Sequence, residues 1–255
     1  MHKFTFFDLE SVWDQHLHES YRAIDPAAQP HVRLGSKRIF ATAAFNLTLS
    51  DDGSISCEGM SSWTQHDHGD EEAVVRGLFD HLRANPDRVA CAFGSVATDL
   101  PLVTLAAMEH GLTLPAQLLQ RQSYQRSGPI RPHLDLGLQL KAAGKTWTHM
   151  TEVLLRLGLP ATLMAGKKRV DYPTNPEAWA AARAHCELDT ALLAIATMAW
   201  QRTQGQCNLD PKIASFVILD WLRRNRPLTQ ALQDKLAAVC VALADEISDR
   251  LMRAA

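Results

Sequence analysis

Apolar and polar positions alternate along this chain in two patterns, which predict different elements. Short apolar runs bounded by turn residues predict strands, at residues 4–7, 38–49, 54–59 and 88–93. Longer segments with apolar residues at helical spacing predict helices, at residues 70–82, 102–110, 148–157, 176–201, 211–224 and 229–253. The order of strand, hairpin, helix, strand and helix predicts an α/β fold, with a mixed sheet of about five strands flanked by helices.

Two segments show neither pattern. Residues 12–36 are polar and include Pro26 and Pro30, so we expect an irregular connection over the surface. Residues 60–69 hold histidines and acids that could bind a metal ion. No further ligand follows at a tight spacing, however, and a solvated polar loop is the simpler interpretation.

The last two predicted helices follow Gly205 and are separated by Pro227. We expect them to pack on the rest of the chain and not to form a second globular unit. The sequence therefore predicts a main domain at residues 1–204 and a C-terminal helical extension at residues 205–255. The same two helices are also candidates for a homodimer contact.

Composition narrows the class of protein. Of the 255 residues, 46% are hydrophobic and 21% are charged, which is typical of globular proteins. The formal net charge is −2, so any binding of nucleic acid depends on local basic patches. Five scattered cysteines without a CxxC pair favour reduced thiols. There is no signal-peptide pattern and no apolar run of about 18 residues, so we expect a cytoplasmic protein without membrane contact.

Three acidic residues stand next to predicted strands. Asp8 and Glu10 are two positions apart, so on a strand their carboxylates point to the same face. A hard divalent cation such as Mg²⁺ stabilises such a pair of carboxylates. For residues 8–10 taken alone, a solvated acidic turn is the alternative interpretation. Asp99 lies near a predicted strand-to-helix junction, where ligand sites collect in α/β sheets.

A fourth acid lies on the long predicted helix at 176–201. His185 and Asp189 are four residues apart, so they share one face of that helix. Several carboxylates can hold two metal ions about 3.5–4 Å apart, which clamp the attacking and leaving oxygens of a phosphodiester. His185 is then a candidate proton acceptor for the attacking water, and the alternative is a histidine that only contacts Asp189.

These acids stand in segments that resemble the DEDD 3′–5′ exonucleases of the ribonuclease-H-like superfamily. The resemblance is closest to the predicted exonucleases related to the proofreading domain of family-B DNA polymerases. It runs from about residue 4 to residue 200, through the stretches FFDLES, ATDLPLV and HCELD, with RIFATAAF, HLDL and LGLP in the segments between them.

The resemblance implies a ribonuclease-H-like fold and a function. It implies that two Mg²⁺ or Mn²⁺ ions are bound by four acids, which are Asp8, Glu10, Asp99 and Asp189. The implied reaction is hydrolysis of phosphodiester bonds at 3′ ends of nucleic acid. We expect single-stranded DNA in preference to RNA, although this choice depends on contacts to the 2′-hydroxyl that the sequence does not reveal.

Two departures from the family pattern favour an alternative. The family has Tyr four residues before the last Asp, where this chain has His185, and the other major branch has His at the position of Ala184. The Asn-Gly of the second motif is replaced around Gly94 and Ser95, and Thr98 stands where an aromatic residue is usual. The alternative is a nucleic-acid-binding or assembly protein that keeps the fold with weakened or lost catalysis.

Other polar residues are candidates for holding the substrate. Asp135 is either a substrate contact or a helix N-cap, and Glu187 is expected to be exposed because it lies on a different helix face from Asp189. Basic residues in acid-free segments could contact backbone phosphates, or belong to solvated loops, and these are Arg126, Arg131, Lys167 and Lys168.

Overall fold

The computed structural model describes residues 1–25, 33–119, 133–164 and 171–254. Its strands are β1 His2–Trp13, β2 Lys37–Leu49, β3 Ile55–Thr64, β4 Val89–Ala92 and β5 His133–Asp135. They form one sheet in the order β3-β2-β1-β4-β5. The pairs β1–β2 and β2–β3 are antiparallel, whereas β1–β4 and β4–β5 are parallel. This five-stranded mixed sheet confirms the predicted fold class and is compatible with a ribonuclease-H-like fold.

Helices cover both faces of this sheet. Their bounds are α1 Gln15–Ile24, α2 Gln65–His68, α3 Glu71–Ala84, α4 Asp99–Glu109, α5 Leu136–Lys141, α6 Met150–Arg156, α7 Ala161–Met164, α8 Pro176–Thr203, α9 Pro211–Asn225 and α10 Gln230–Ala254. None of these described helices combines the length and the apolar character that crossing a bilayer requires.

Two expectations about secondary structure were wrong, and one short strand was not predicted. Helix α1 lies where an irregular connection was expected; its first turn is capped by Asp14, whose side chain accepts a hydrogen bond from the Leu17 amide at 3.0 Å. Strand β3 extends to Thr64, so the expected loop at 60–69 is the end of a strand followed by α2. Strand β5 was missed because it is only three residues long.

Alternation along β1 divides the core into two layers. Phe4 and Phe6 belong to the larger core cluster, which also contains the buried side of α8. Phe7 and Leu9 belong to the cluster formed with α3 and α4 on the opposite face. Because side chains alternate along a strand, Asp8 lies on the same face as Phe4 and Phe6, under α8.

The β1–β2 ladder contains a bulge next to Glu10. Glu10 is opposite Ala41 and Ser11 is opposite Ile39, which leaves Phe40 as an extra residue on β2. The bulge interrupts the alternation, so Phe40 and Ala41 both pack against Trp179 of α8 in a third, small cluster.

Helix α8 is the central helix of the larger layer. It begins at Pro176 behind Asn175, whose side chain accepts a hydrogen bond from the Ala178 amide at 2.8 Å. Helices α9 and α10 contribute to the same core as α8, for example through Leu222 and Leu236. The C-terminal helices therefore pack against the sheet-containing part of the chain.

Candidate metal centre

Strand β1 presents two carboxylates toward α8. Asp8 and Glu10 are both partly buried, and their two-residue spacing continues the face that carries Phe4 and Phe6. The bulge begins directly after Glu10, at the end of this regular stretch. The sequence prediction that one strand face carries both acids is confirmed.

The helix above this strand supplies a histidine and a further acid. The Nε2 atom of His185 lies 3.4 Å from Oε1 of Glu10 and 3.7 Å from Oδ2 of Asp189. All three side chains are largely buried, with exposed fractions of 20% or less. The predicted shared helix face of His185 and Asp189 is confirmed, and the imidazole also reaches across to Glu10 on β1.

Cys186 shows how strongly negative charge is concentrated here. Its thiol is fully buried and donates a hydrogen bond to the backbone oxygen of Asp8 at an S···O distance of 3.4 Å. Burial raises the pKa of this thiol well above its ordinary value, and nearby carboxylates raise it further, those of Asp8, Glu10, Asp189 and Glu187. The charges of four carboxylates therefore act on one buried sulfur atom.

Asp99 reaches the site from the other side of β1. It is the first residue of α4, and together with Glu10 it lines a groove of about 280 Å³. Burial raises the pKa of the Asp99 carboxyl to about 7, the charge of Asp135 raises it too, and the ammonium group of Lys37 lowers it. Asp99 therefore holds its proton to a higher pH than an exposed aspartate does.

Lys37 was not singled out in the sequence. It lines the same groove as Glu10 and Asp99, at the start of β2. Its ammonium group lowers the pKa of the Asp99 carboxyl, so the groove contains a positive charge beside the two acids. Its position follows from the pairing of Lys37 with Trp13 at the end of β1, which sequence spacing alone does not indicate.

Asp135 supports the loop before Asp99. Its carboxylate accepts hydrogen bonds from the amides of Gly94 at 2.8 Å, Val96 at 2.9 Å and Leu138 at 3.0 Å. The last of these makes it the N-cap of α5, which confirms that alternative. The side chain is 3% exposed and engaged with the backbone, so its role in the site is to hold the 94–98 turn.

One prediction about a site residue is wrong, and another set concerns residues outside those that the structure describes. The expectation that Glu187 is exposed is wrong: the residue is 1% exposed, and its carboxylate accepts a hydrogen bond from Ser62 at 2.7 Å and pairs with Arg226. The predicted substrate contacts in the basic segments lie outside the described residues, and these are Arg126, Arg131, Lys167 and Lys168.

A second acidic cluster lies elsewhere in the molecule. Among the described residues, Glu71, Glu109 and His110 form the one group of three metal-type ligands whose donor atoms all lie within 4.8 Å of one another. This cluster could hold a metal ion. The guanidinium group of Arg38 already contacts both carboxylates, and Glu71 also accepts a hydrogen bond from the Ile39 amide. The single positive charge of Arg38 therefore offsets part of the negative charge of this cluster.

The acids at the end of β1 form the other candidate group. Asp8, Glu10 and Asp189 all raise the pKa of the Cys186 thiol, and the imidazole of His185 contacts Glu10 and Asp189. Carboxylate oxygens are the ligands that Mg²⁺ and Mn²⁺ prefer. The oxygen donors at the end of β1 are therefore of the type that hard divalent cations bind, and Asp99 shares a groove with Glu10. Among the described residues, the oxygens of these acids do not form a group of three within 4.8 Å of one another.

Comparisons with known proteins add little to this picture. No protein-family model and no curated protein matches the chain. Among solved structures, the chain is similar to the family B DNA polymerase from the hyperthermophilic archaeon Pyrobaculum calidifontis, with 14% sequence identity and a TM-score of 0.48. The match covers 88% of this chain and 29% of the polymerase chain. Because identity and score are both low, the fold assignment rests on the sheet order described above.

Proposed function

We propose that this protein is a two-metal-ion 3′–5′ exonuclease that hydrolyses phosphodiester bonds at the 3′ end of a nucleic acid strand. One observation carries the proposal. Segments that are distant in sequence bring Glu10, His185 and Asp189 into contact, with Asp8 beside them around Cys186. The motif resemblance of the same residues to DEDD exonucleases supports this assignment.

Four carboxylates would hold the two ions, those of Asp8, Glu10, Asp99 and Asp189. When bound, such a pair of ions supplies a hydroxide nucleophile and stabilises the departing 3′ oxygen. The contribution of the chain is to fix these oxygens on β1, α4 and α8, elements whose backbone positions are set by the core. Raising the pKa of Asp99 to about 7 makes its binding of a cation depend on pH near neutrality.

His185 would act on the proton of the attacking water. Its unperturbed pKa of about 6.5 allows an imidazole to accept a proton near neutral pH. The 3.4 Å contact with Glu10 and the 3.7 Å contact with Asp189 hold the ring over the acids. General acid–base groups of this kind contribute roughly 10²–10⁴-fold to rate.

The proposed substrate is a single strand, DNA in preference to RNA. Lys37 would contact a phosphate in the groove that Glu10 and Asp99 line. The proposal includes contacts between the phosphates of the strand and the basic segments at residues 126–131 and 167–168. It also includes a cytoplasmic location, a main domain that ends at residue 204, and a homodimer formed through α9 and α10.

The decisive experiment follows degradation of a strand labelled at its 5′ end, made of DNA or RNA, with Mn²⁺ or Mg²⁺. We expect stepwise shortening from the 3′ end. An Asp8→Ala, Asp189→Ala double variant should be inactive and should lose the rise in melting temperature that Mn²⁺ gives the unaltered protein. Degradation from the 5′ end, or a double variant as active as the parent, would refute the proposal.

The second acidic cluster provides the matched control. Glu109→Gln removes one carboxylate beside Arg38 and leaves the end of β1 intact. This variant should keep both its activity and its response to Mn²⁺. If the response disappears in Glu109→Gln and persists in the double variant, the metal is bound at Glu71, Glu109 and His110, and the proposed centre is wrong.

One observation favours a second candidate function. His185 lies between Glu10 and Asp189, and a protonated imidazole there would partly neutralise two carboxylates without a metal. A nucleic-acid-binding or assembly protein with lost catalysis would use this arrangement for structure only. Binding of the labelled strand with no shortening in either metal would identify this function in place of the exonuclease.

A further inference from the structure

A cluster of aromatic rings lies at the start of α8, and we call it the aromatic cluster: Phe40, His66, Tyr172 and Trp179. Tyr172 packs edge-on against Phe40 at 5.8 Å and against Trp179 at 5.3 Å between ring centroids. His66 stacks on Trp179 at 5.8 Å, with an angle of 19° between the rings. The four residues come from β2, α2, α8 and the segment before α8.

Only half of the aromatic cluster belongs to the core. Phe40 is fully buried and Trp179 is 9% exposed, whereas Tyr172 is 45% exposed and His66 is also exposed. A cluster formed only for packing would place its apolar rings inward. Here two buried rings support two rings that face solvent.

One exposed ring, that of Tyr172, is held in place by a polar contact. The Tyr172 hydroxyl donates to Oε1 of Gln65 at 3.0 Å, and the side-chain amide of Gln65 donates to the Ile39 carbonyl at 2.9 Å. Arg183 pairs with Asp67 at 3.2 Å and so balances the acid next to His66. The Tyr172 ring is therefore oriented by this hydrogen bond and the His66 ring by its stacking on Trp179, before any ligand binds.

The aromatic cluster adjoins the candidate metal centre. Trp179 precedes His185 by six residues and Asp189 by ten on the same helix, which corresponds to roughly 9 and 15 Å along its axis. On the sheet side, Phe40 is the bulge residue, and the next residue, Ala41, is opposite Glu10. The rings that pack on Trp179 therefore lie near the start of the helix that carries His185 and Asp189.

We propose that Tyr172 and His66 form a subsite that stacks one nucleobase of the bound strand, at a nucleotide other than the one whose phosphodiester is cleaved. This inference rests on the proposed function for the identity of the ligand as a nucleic acid strand. Every base has a flat aromatic face, so stacking on side-chain rings binds single strands without selecting a sequence. Phe40 and Trp179 hold the two stacking residues from below.

The test is binding of a short fluorescent deoxythymidine strand to the full chain in EDTA, where no cleavage occurs. Removing one aromatic platform costs a single strand roughly 5- to 150-fold in affinity, and we expect a loss in this range for Tyr172→Ala and for His66→Ala. Tyr172→Phe keeps the ring and should bind within about twofold of the unaltered protein. Trp147 is also 45% exposed and lies outside the aromatic cluster, so Trp147→Ala should bind as the parent does.

An abasic strand series separates stacking from a general loss of structure. One nucleotide at a time in the 3′ half is replaced by an abasic one. A single abasic position should weaken binding to the unaltered protein, and the same position should cause no further loss in Tyr172→Ala. If no position stands out, if the loss is the same in both proteins, or if the strand does not bind, the subsite is refuted.

The outcomes distinguish this subsite from the exonuclease proposal. Shortening of the strand with Mn²⁺, without any position-dependent abasic effect, would refute the subsite and leave the exonuclease standing. A position-dependent abasic effect that depends on Tyr172, without shortening in Mn²⁺ or Mg²⁺, would support the subsite and refute the exonuclease.

Discussion

Replacing Arg226 by Met tests the connection between the C-terminal helices and the helix that carries His185 and Asp189. Arg226 follows α9 and pairs with the buried carboxylate of Glu187 on α8. Its guanidinium also donates to the Met60 carbonyl at 3.1 Å and to the Ser62 hydroxyl at 3.3 Å. The substitution keeps an apolar stem of similar length and removes all three interactions.

The expected cost follows from the burial of Glu187. Removing one partner of a buried ion pair costs about 3–5 kcal/mol, because the remaining charge stays desolvated. The side chain of Arg226 is 20% exposed, so water screens part of this pair and we take the lower end, about 3 kcal/mol. For a chain of this size, that loss lowers the melting temperature by roughly 6–12 °C.

Urea denaturation followed by circular dichroism gives the free energy of unfolding for Arg226→Met, Glu187→Met and the double variant. The double variant leaves no unpaired charge and should be more stable than either single variant. A single Arg226→Met variant that loses less than about 1 kcal/mol would refute this reasoning. A double variant whose loss equals the sum of the two single losses would refute it as well.

Three further predictions concern the site itself. His185→Ala should lower the rate of single-turnover cleavage in saturating Mn²⁺ by roughly 10²–10⁴-fold and leave the Mn²⁺-induced melting shift unchanged. His185→Tyr should keep part of the activity. If His185→Ala cleaves as fast as the parent, His185 is only a structural residue. The pKa of Asp99 is about 7 in the folded state, compared with an ordinary value of 3.8, so the folded state holds this proton more tightly than the unfolded state does. The free energy of unfolding without metal should therefore fall as the pH rises from 4 to 7. Asp99→Asn should flatten that fall in a melting series in EDTA, and an unchanged slope would contradict the assignment. Lys37→Ala should weaken strand binding about tenfold and lower the slope of log affinity against log salt by about one, with Lys37→Arg close to the parent; an unchanged slope would exclude a phosphate contact.

Local spacing was enough to predict the parts of the site that lie within one element. The common face of Asp8 and Glu10 follows from the two-residue period of a strand, and that of His185 and Asp189 from the helical period. The contact between Glu10 and His185 joins two such elements. The motif resemblance implied that these residues meet, but spacing by itself did not.

Two of the errors originate in tertiary packing, and the third in local composition. Glu187 lies on a different face of α8 from Asp189, and the sequence does not show that Ser62 and Arg226 would bury that face. Strand β5 is too short for its residues to show the two-residue alternation of a strand. It forms by pairing in parallel with β4. Asp14 carried a capping signal for α1 that the polar composition of the surrounding segment obscured.

The bulge at Phe40 constrains how this chain can change in length during evolution. Deleting Phe40 would restore a regular ladder without moving its neighbours to the other face, because Ile39 and Ala41 already lie on opposite faces of the sheet. The deletion would, however, remove the buried ring that packs against Tyr172 and Trp179. The turn at residues 50–54, closed by a hydrogen bond from the Ser50 amide to the Ser54 carbonyl at 2.9 Å, carries no such restriction because Asp51 and Asp52 are exposed. Homologous chains should therefore gain and lose residues at this hairpin, and keep a constant length from the start of β2 to Ala41.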